Sequence, residues 1–396
     1  VTDALTTQQR QWVVVAWLTY AGFYLGRFNL SPAVPTIAED LNVSLGTVGI
    51  LGSVFFWCYA VGQIISGQLG NIIRPRIMIS AGMLLVIIAN LLFAFGSILW
   101  VLTLIWAING FGQSAGWGPM LRILNTRLSV SQQKRLSPIF SMTFQIGTAA
   151  AWALATVMIY FMGWRSAFWM PAIILLGWLV VWWWYGLDAD VATTQTAYEF
   201  RFSDLITDLR QFAFPLIAAS CTGFVYISFQ LWLPTLLDAT DFLPELVVLS
   251  ITAIIPLIGI LGMQLTSILL GRGWNVFDIN RILLILMAVA LLAAGFTRDI
   301  VQLVLITVGV LLGSGLIGLF LSTLPILIGE QRVSSAAGLF TASWSIAGGF
   351  SSIVVGTIVD RQGWGGVYPL WVGLLVAALI AIVITQNQHK QQERIA

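Results

Sequence analysis

Two stretches of this chain can be laid over one another: LSPIFSMTFQIGTAAAWALATVMIYFMGWRSAF at 136–168 and AAGLFTASWSIAGGFSSIVVGTIVDRQGWGGVY at 336–368. Phe140 meets Phe340, Ile146 meets Ile346, and the step Gly163-Trp164 meets Gly363-Trp364. Each copy is a long apolar run followed by a glycine-tryptophan turn into the next run, so the chain reads as two parallel repeats. The composition says what solvent the repeats face. Of 396 residues 59% are hydrophobic and 9% charged, where a soluble chain carries roughly 25% charge, and the mean hydropathy is +0.93. The solvent is a lipid bilayer.

A bilayer core about 30 Å thick takes roughly 20 apolar residues as a helix. Runs of that kind place twelve spans near 12–34, 46–69, 76–95, 98–120, 138–162, 165–187, 212–237, 247–270, 281–297, 300–326, 337–359 and 364–386. The fifth and eleventh spans are then the two copies of the repeat. With both termini cytoplasmic, every Lys and Arg outside the spans falls inside the cell except Arg165, Arg298 and Arg361, as the positive-inside rule demands. An odd span count destroys that asymmetry. The fold expected is an all-α integral membrane protein: a six-helix bundle over 1–187, a cytoplasmic linker over 188–211 with a short amphipathic helix capped near Ser203, and a second six-helix bundle over 212–396 with a short cytoplasmic tail. Such a 6+6 parallel repeat is the major-facilitator arrangement, in which substrate binds near the midplane between halves that rock. No cleavable signal is visible, and a multi-pass protein of a bacterial inner membrane is expected.

The charges exclude several functions. A formal charge of +2 leaves no nucleic-acid footprint, and the single His389 lies in a polar tail, which removes histidine catalysis and histidine-ligated metal. Cys58 and Cys221 sit apart in apolar runs, with no disulfide framework, zinc site or other cofactor implied. Every Asp and Glu can be placed at a helix end or in a loop, so no intramembrane carboxylate is expected to bind a cation or relay a proton.

Arg27 is the exception. It lies two-thirds along the first span in YAGFYLGR, 20–27, and a cation there costs about 2.5–3.5 kcal/mol on insertion scales. Spacings of four and seven put Tyr20, Tyr24 and Arg27 on one helical stripe. A guanidinium offers paired donors matched to two anionic oxygens, so phenols beside it suit a carboxylate or phosphate. The competing readings are an arginine answered by carbonyls and water at a broken helix, or one snorkelling outward. Tyr59 and Gln63, Asn109 and Gln113, Ser141 and Gln145, and Tyr226 and Gln230 are i, i+4 pairs that could line the same cavity or bond between helices. Trp117 and Trp344 are the pocket candidates among the tryptophans, whereas Trp182 to Trp184 read as an interfacial belt. Arg27 stands eight residues before Pro35, and eight before Pro234 in the seventh span is Tyr226, so the repeat offers no second arginine.

GQLGNIIRPR, 67–76, resembles the facilitator-superfamily loop GxxxDxxxR between spans two and three, with Asn71 in place of the acid. Gly67, Asn71, Arg74 and Arg76 are its conformational candidates. YAGFYLGRFNLSPAVP (20–35), GFGQSAGWGPMLR (110–122), GWRSAFWMPA (163–172) and 336–366 resemble the organophosphate:phosphate antiporter family, which includes the glycerol-3-phosphate and hexose-phosphate transporters. The resemblance runs from about 15 to 385. It implies that Arg27 binds the anionic group of the substrate, with Tyr20, Tyr24 and Tyr59 beside it. Where that family carries a second-span lysine and a seventh-span arginine, this chain has Gln63 and Tyr226, and the fifth-span histidine has no counterpart. The expectation is an alternating-access carrier of a small organic anion, a monoanion before a phosphate ester, working by exchange or facilitated transport as a monomer. The alternatives are an exporter of apolar or amphipathic compounds and a non-transporting membrane sensor.

Overall fold

The structure is a computed structural model that describes residues 4–70, 72–185, 187–189, 212–239, 245–328 and 333–395. Asn71, most of the linker with Ser203, and the acids at 3, 190, 199, 204, 208, 241 and 330 lie outside these residues. The described residues form fourteen α-helices: α1 (Thr7–Leu25), α2 (Leu30–Asp40), α3 (Leu45–Leu69), α4 (Pro75–Phe95), α5 (Leu99–Gln113), α6 (Trp117–Arg127), α7 (Val130–Met162), α8 (Ser166–Tyr185), α9 (Ala213–Asp238), α10 (Glu245–Gly271), α11 (Val276–Phe296), α12 (Asp299–Ile328), α13 (Val333–Gln362) and α14 (Val367–Ile395). Among the described residues ten of these, α3, α4 and α7 through α14, are long and apolar enough to cross a membrane. The other two spans are broken: α1 and α2 make the first, interrupted at 26–29, and α5 and α6 make the fourth, interrupted at 114–116. Continuous helices were expected over 12–34 and 98–120. The breaks come where glycine lowers helix propensity, at Gly26 and at Gly116.

Local chemistry explains the helix ends. Thr6 and Ser129 each open a helix with a capping box, their hydroxyls accepting from the amides of Gln9 at 3.1 Å and Gln132 at 3.3 Å while the glutamine side chains return to the cap amides. The two boxes are tied together by Gln9, whose Nε2 donates to Gln132 Oε1 at 3.4 Å and also to the Arg127 carbonyl at 3.2 Å. Pro75 begins α4, where a missing amide costs nothing.

The chain packs as two units, Val1–Val43, Ile50–Ala197 and Glu245–Ala253 in one and Ser44–Gly49, Tyr198–Pro244 and Ile254–Ala396 in the other. In the first, α1, α4, α6, α7 and α8 close over Ala16, Phe23, Met83, Val86, Met120, Ile123 and Trp182. Trp182 is wholly buried there, which corrects its reading as part of an interfacial belt, while Trp183 and Trp184 are exposed. In the second, Phe229, Trp232, Leu283, Met287 and Trp371 are buried, and Asp360 accepts from the amides of Leu45 and Gly46 at 3.0 and 2.8 Å. Phe95, Phe161, Val180 and Phe296 are exposed, as suits helices of a membrane-embedded fold.

The repeat is visible in the backbone itself. Helix α7 ends at Gly163 with φ 78° and ψ 167°, and α13 ends at Gly363 with φ 68° and ψ −174°. Both lie in a region that is essentially open to glycine alone and costs a side chain about 1–3 kcal/mol. The glycine-tryptophan steps aligned by sequence are therefore the same turn made twice. Replacing either glycine by alanine is expected to destabilise the protein by about 1–3 kcal/mol, read as a lower thermal midpoint in detergent; an unchanged midpoint for both would contradict the shared turn.

Candidate functional site

The break in the first span sets the geometry around Arg27. Helix α1 ends at Leu25, the Arg27 amide reaches back three residues to the Tyr24 carbonyl at 3.1 Å, and the Phe28 amide shares that carbonyl at 3.0 Å. The Arg27 side chain then lies among five aromatic rings. Its guanidinium carbon is 4.6 Å from the Tyr59 ring centre, 5.1 Å from Phe28, 5.3 Å from Phe55, 5.4 Å from Phe56 and 6.0 Å from Tyr24. Ring faces are electronegative, so they stabilise a cation without neutralising it, by about 0.5–2 kcal/mol per favourable contact. Three of these rings come from α3, with Phe55 stacked on Tyr59 at 6.3 Å. Tyr24 and Phe28 stack at 5.7 Å, and Phe144 of α7 meets both edge-on.

Among the described residues no carboxylate pairs with Arg27 and no carbonyl accepts from it; its Nε is buried without a hydrogen-bond partner. The helix is broken beside Arg27, but among the described residues no carbonyl at the break accepts from the guanidinium, and the half-buried side chain lies between the rings. A guanidinium with its Nε unpartnered and its face covered by π-systems has the geometry to meet two oxygens in one plane.

The tyrosines come together as expected. The Tyr24 hydroxyl donates to Tyr20 at 3.0 Å, and Tyr20 packs on Trp117 at 4.7 Å between centroids. Arg27, Tyr20, Tyr24, Tyr59 and Trp117 form one connected group, and Gln63 stands half-buried one helical turn beyond Tyr59. Gln145 is wholly buried on α7 next to Phe144. Two amides placed with the cavity candidates do something else: Gln113 Nε2 donates to the Phe23 carbonyl at 2.8 Å, and Asn109 Nδ2 donates to the Gly26 carbonyl at 2.8 Å. Their nitrogens are committed to the backbone of the first span. In the other unit Tyr226 is buried, its hydroxyl 3.4 Å from Ser314 Oγ and its ring edge-on to Trp344 at 6.0 Å, while Gln230 is buried one turn further along α9.

The loop after α3 has partners that the motif did not suggest. The Arg122 guanidinium of α6 donates to the Gly70 carbonyl. The Arg76 amide donates to Asp188 Oδ1 at 3.1 Å, and its guanidinium stacks over Trp183 at 4.2 Å while donating to the Trp183 carbonyl. Arg74 caps α4 in extended conformation without a side-chain bond, and a Cβ on Gly67 would meet nothing, so packing does not demand a glycine there. Sequence reasoning also passed over Phe28, Phe55, Phe56 and Phe144. Their signal was available in the i, i+4 step from Phe55 to Tyr59, but phenylalanines in an apolar span are ordinary core residues until a cation is found against them.

Residues 16–352 match the family described as Major Facilitator Superfamily. A probable hexose phosphate transport protein of Chlamydia trachomatis is 31% identical over 167 residues, 42% of this chain and 37% of that protein, so the chain spans little more than a third of that relative. A probable sulfoacetate transporter of Cupriavidus necator is 24% identical over 375 residues, 88% of this chain and 87% of that protein. In fold the chain is similar to a crystal structure of a bacterial homologue of the human lysosomal transporter Spinster, with a TM-score of 0.78 at 13% identity over 98% of both chains.

Within this group the Tyr24 to Tyr20 hydrogen bond is local and is expected to contribute about 1 kcal/mol. Tyr24→Phe should lower the thermal midpoint only slightly. Tyr24→Ala, which also removes the ring packed on Phe28 and Phe144, should cost about 3–5 kcal/mol. Equal losses in a thermal-melt comparison would contradict the packing role of the ring.

Proposed function

This chain belongs to the major facilitator superfamily, and from that premise we propose that it carries a small organic anion across a membrane by alternating access, with Arg27 as the anchor of the anionic group. The observation that supports this most is the unpaired guanidinium inside its ring of aromatics. In a medium of low dielectric an uncompensated charge is costly, and a counter-charge brought by the substrate relieves that cost. Binding therefore comes from a group the protein already holds in place.

The substrate class follows from what stands near Arg27 and what does not. One guanidinium makes a bidentate pair with a carboxylate or a sulfonate. A phosphate dianion calls for further cations, and the matching positions hold Gln63 and Tyr226. We therefore read the cargo as a carboxylate or sulfonate before a phosphate ester. The apolar rings exclude a large hydrated head group, and Tyr20, Tyr24 and Tyr59 supply hydroxyls for the remaining oxygens. The N-terminal bundle, 1–187, and the C-terminal bundle, 212–396, are the two bodies that rock, joined by the linker 188–211. In this reading Gln63, Gln145 and Trp117 contribute further lining beside Arg27, and Tyr226, Gln230 and Trp344 are the candidates in the other unit. No carboxylate pairs with Arg27 among the described residues, which favours exchange or facilitated transport over proton coupling. The chain works as a monomer in a bacterial inner membrane, with both termini in the cytoplasm.

Counterflow in liposomes of labelled monocarboxylates, sulfonates, phosphate esters and inorganic phosphate tests the proposal. The expected result is flux of a carboxylate or sulfonate that Arg27→Ala lowers roughly 10- to 100-fold, the loss of charge-assisted hydrogen bonds worth about 1.5–3 kcal/mol, while the variant elutes and melts as a folded protein. Anion flux undiminished in a folded Arg27→Ala variant would remove the anchor role. Flux of phosphate esters alone would overturn the substrate class.

A further inference from the structure

The first span is broken beside its arginine, and the peptide groups at the break are held by side chains from other helices. In a continuous helix the amide of residue 27 would reach the Phe23 carbonyl; here it reaches Tyr24. The Phe23 carbonyl accepts instead from Gln113 Nε2 at 2.8 Å. The Gly26 carbonyl, part of the peptide unit that carries the Arg27 nitrogen, accepts from two amides at once, Asn109 Nδ2 at 2.8 Å and Asn90 Nδ2 at 3.1 Å. Asn90 is itself fixed, since its Oδ1 accepts from Asn29 Nδ2 at 2.8 Å, and Asn29 also donates to the Ala167 carbonyl at 2.9 Å. Asn29, Asn90 and Asn109 are wholly buried and Gln113 is 5% exposed. Hydrocarbon offers no water to a carbonyl released from a helix, so a break survives only where other groups satisfy it. Gly26 lets those groups approach: a Cβ there would lie 2.6 Å from Val86 Cγ1 and 2.9 Å from Asn90 Nδ2.

The repeated half of the chain provides an internal control. Tyr226 occupies the position equivalent to Arg27, counted back from Pro234 as Arg27 is from Pro35, and α9 runs unbroken from Ala213 to Asp238 through it. The two-fold repeat therefore does not require the break. It accompanies the charged side chain and is absent where that side chain is replaced by a tyrosine.

We propose that Asn90, Asn109 and Gln113 are positioning residues: they grip the Phe23 and Gly26 carbonyls, hold the first span open at Gly26–Asn29, and thereby fix where the Arg27 guanidinium stands. This rests on the reading of Arg27 as the anion anchor, but the geometry it concerns can be measured without any substrate. The clamp turns residue 27 out of helical register, so that its direction is set by three helices. It acts on the anion only through Arg27.

The experiment uses the full chain in liposomes with Cys58→Ser and Cys221→Ser, so that Arg27→Cys is the one thiol. The rate of its modification by an anionic methanethiosulfonate is compared with and without Asn109→Leu or Gln113→Met, each variant first shown to be monodisperse with a cooperative melt. Where Asn109→Leu does not fold, Asn109→Ser replaces it. A change in rate of tenfold or more, in either direction, is the expected result, because a residue no longer held at the break loses its defined exposure. A rate within tenfold of the parent for both positions overturns the proposal. In protein that retains Arg27, the same substitutions should raise KM for the counterflow anion at least tenfold and by a larger factor than they lower the maximal rate; an equal effect on both quantities also overturns it. If no anion shows counterflow while the labelling rate changes, the transport reading fails and the clamp stands; if flux depends on Arg27 and labelling is unmoved, the clamp fails and the anchor stands.

Discussion

An arginine inside the first span, with no carboxylate partner among the described residues, is the constraint on which the first unit depends. Burying a cation in a low dielectric is unfavourable, and a protein has few ways to bear it: a carboxylate, a set of carbonyls, water, or the faces of aromatic rings. This chain places aromatic rings there. Phe28, Phe55, Phe56, Tyr24 and Tyr59 surround the guanidinium with partial negative charge spread over five rings. A carboxylate beside Arg27 would have satisfied the charge more fully, and would also have occupied its donors.

The second consequence is in the backbone. A helix hides its peptide groups from lipid by pairing them along its own axis, and a break exposes them. Gln113 and Asn109 on α5, and Asn90 on α4, replace the lost pairing at Phe23 and Gly26. These amides are expensive residues to place in a membrane, yet they form a buried network with Asn29 that reaches the Ala167 carbonyl at the start of α8. Helices α4, α5 and α8 are thus tied to one turn of chain. The same four residues that make the break tolerable also tie it to its neighbours, since a buried hydrogen-bond network holds its members together.

How far the sequence could be read depends on what each feature required. The span count, the repeat and the glycine-tryptophan turns were legible because they rest on apolar run length and on identity at a fixed offset, and Gly163 and Gly363 adopt nearly the same unusual backbone angles. The grouping of Tyr20, Tyr24 and Arg27 was legible for a partly mistaken reason. The helical stripe joins the two tyrosines, but the helix ends before residue 27, and it is the break that sets the arginine. Asn109 and Gln113 stood out by their spacing, which shows only that they share a face of α5. Whether that face meets a cavity or another backbone depends on which helix lies opposite.

Composition and periodicity by themselves determined that this is a helical membrane protein built as a doubled six-span unit, with one arginine inside the first span and no arginine at the matching place in the seventh. Those conclusions follow from solvent: hydrocarbon admits only long apolar helices and makes every charge within them conspicuous. Tertiary structure decided what surrounds that arginine, where the first and fourth spans break, and which amides are spent on backbone rather than left for a ligand. These are matters of contact between residues tens of positions apart, such as Gly26 with Asn90 and Asn109, or Arg27 with Phe55 and Tyr59. A one-dimensional pattern records which face a residue shares with its neighbours along the chain, but the partner across the helix interface is chosen only when the helices pack.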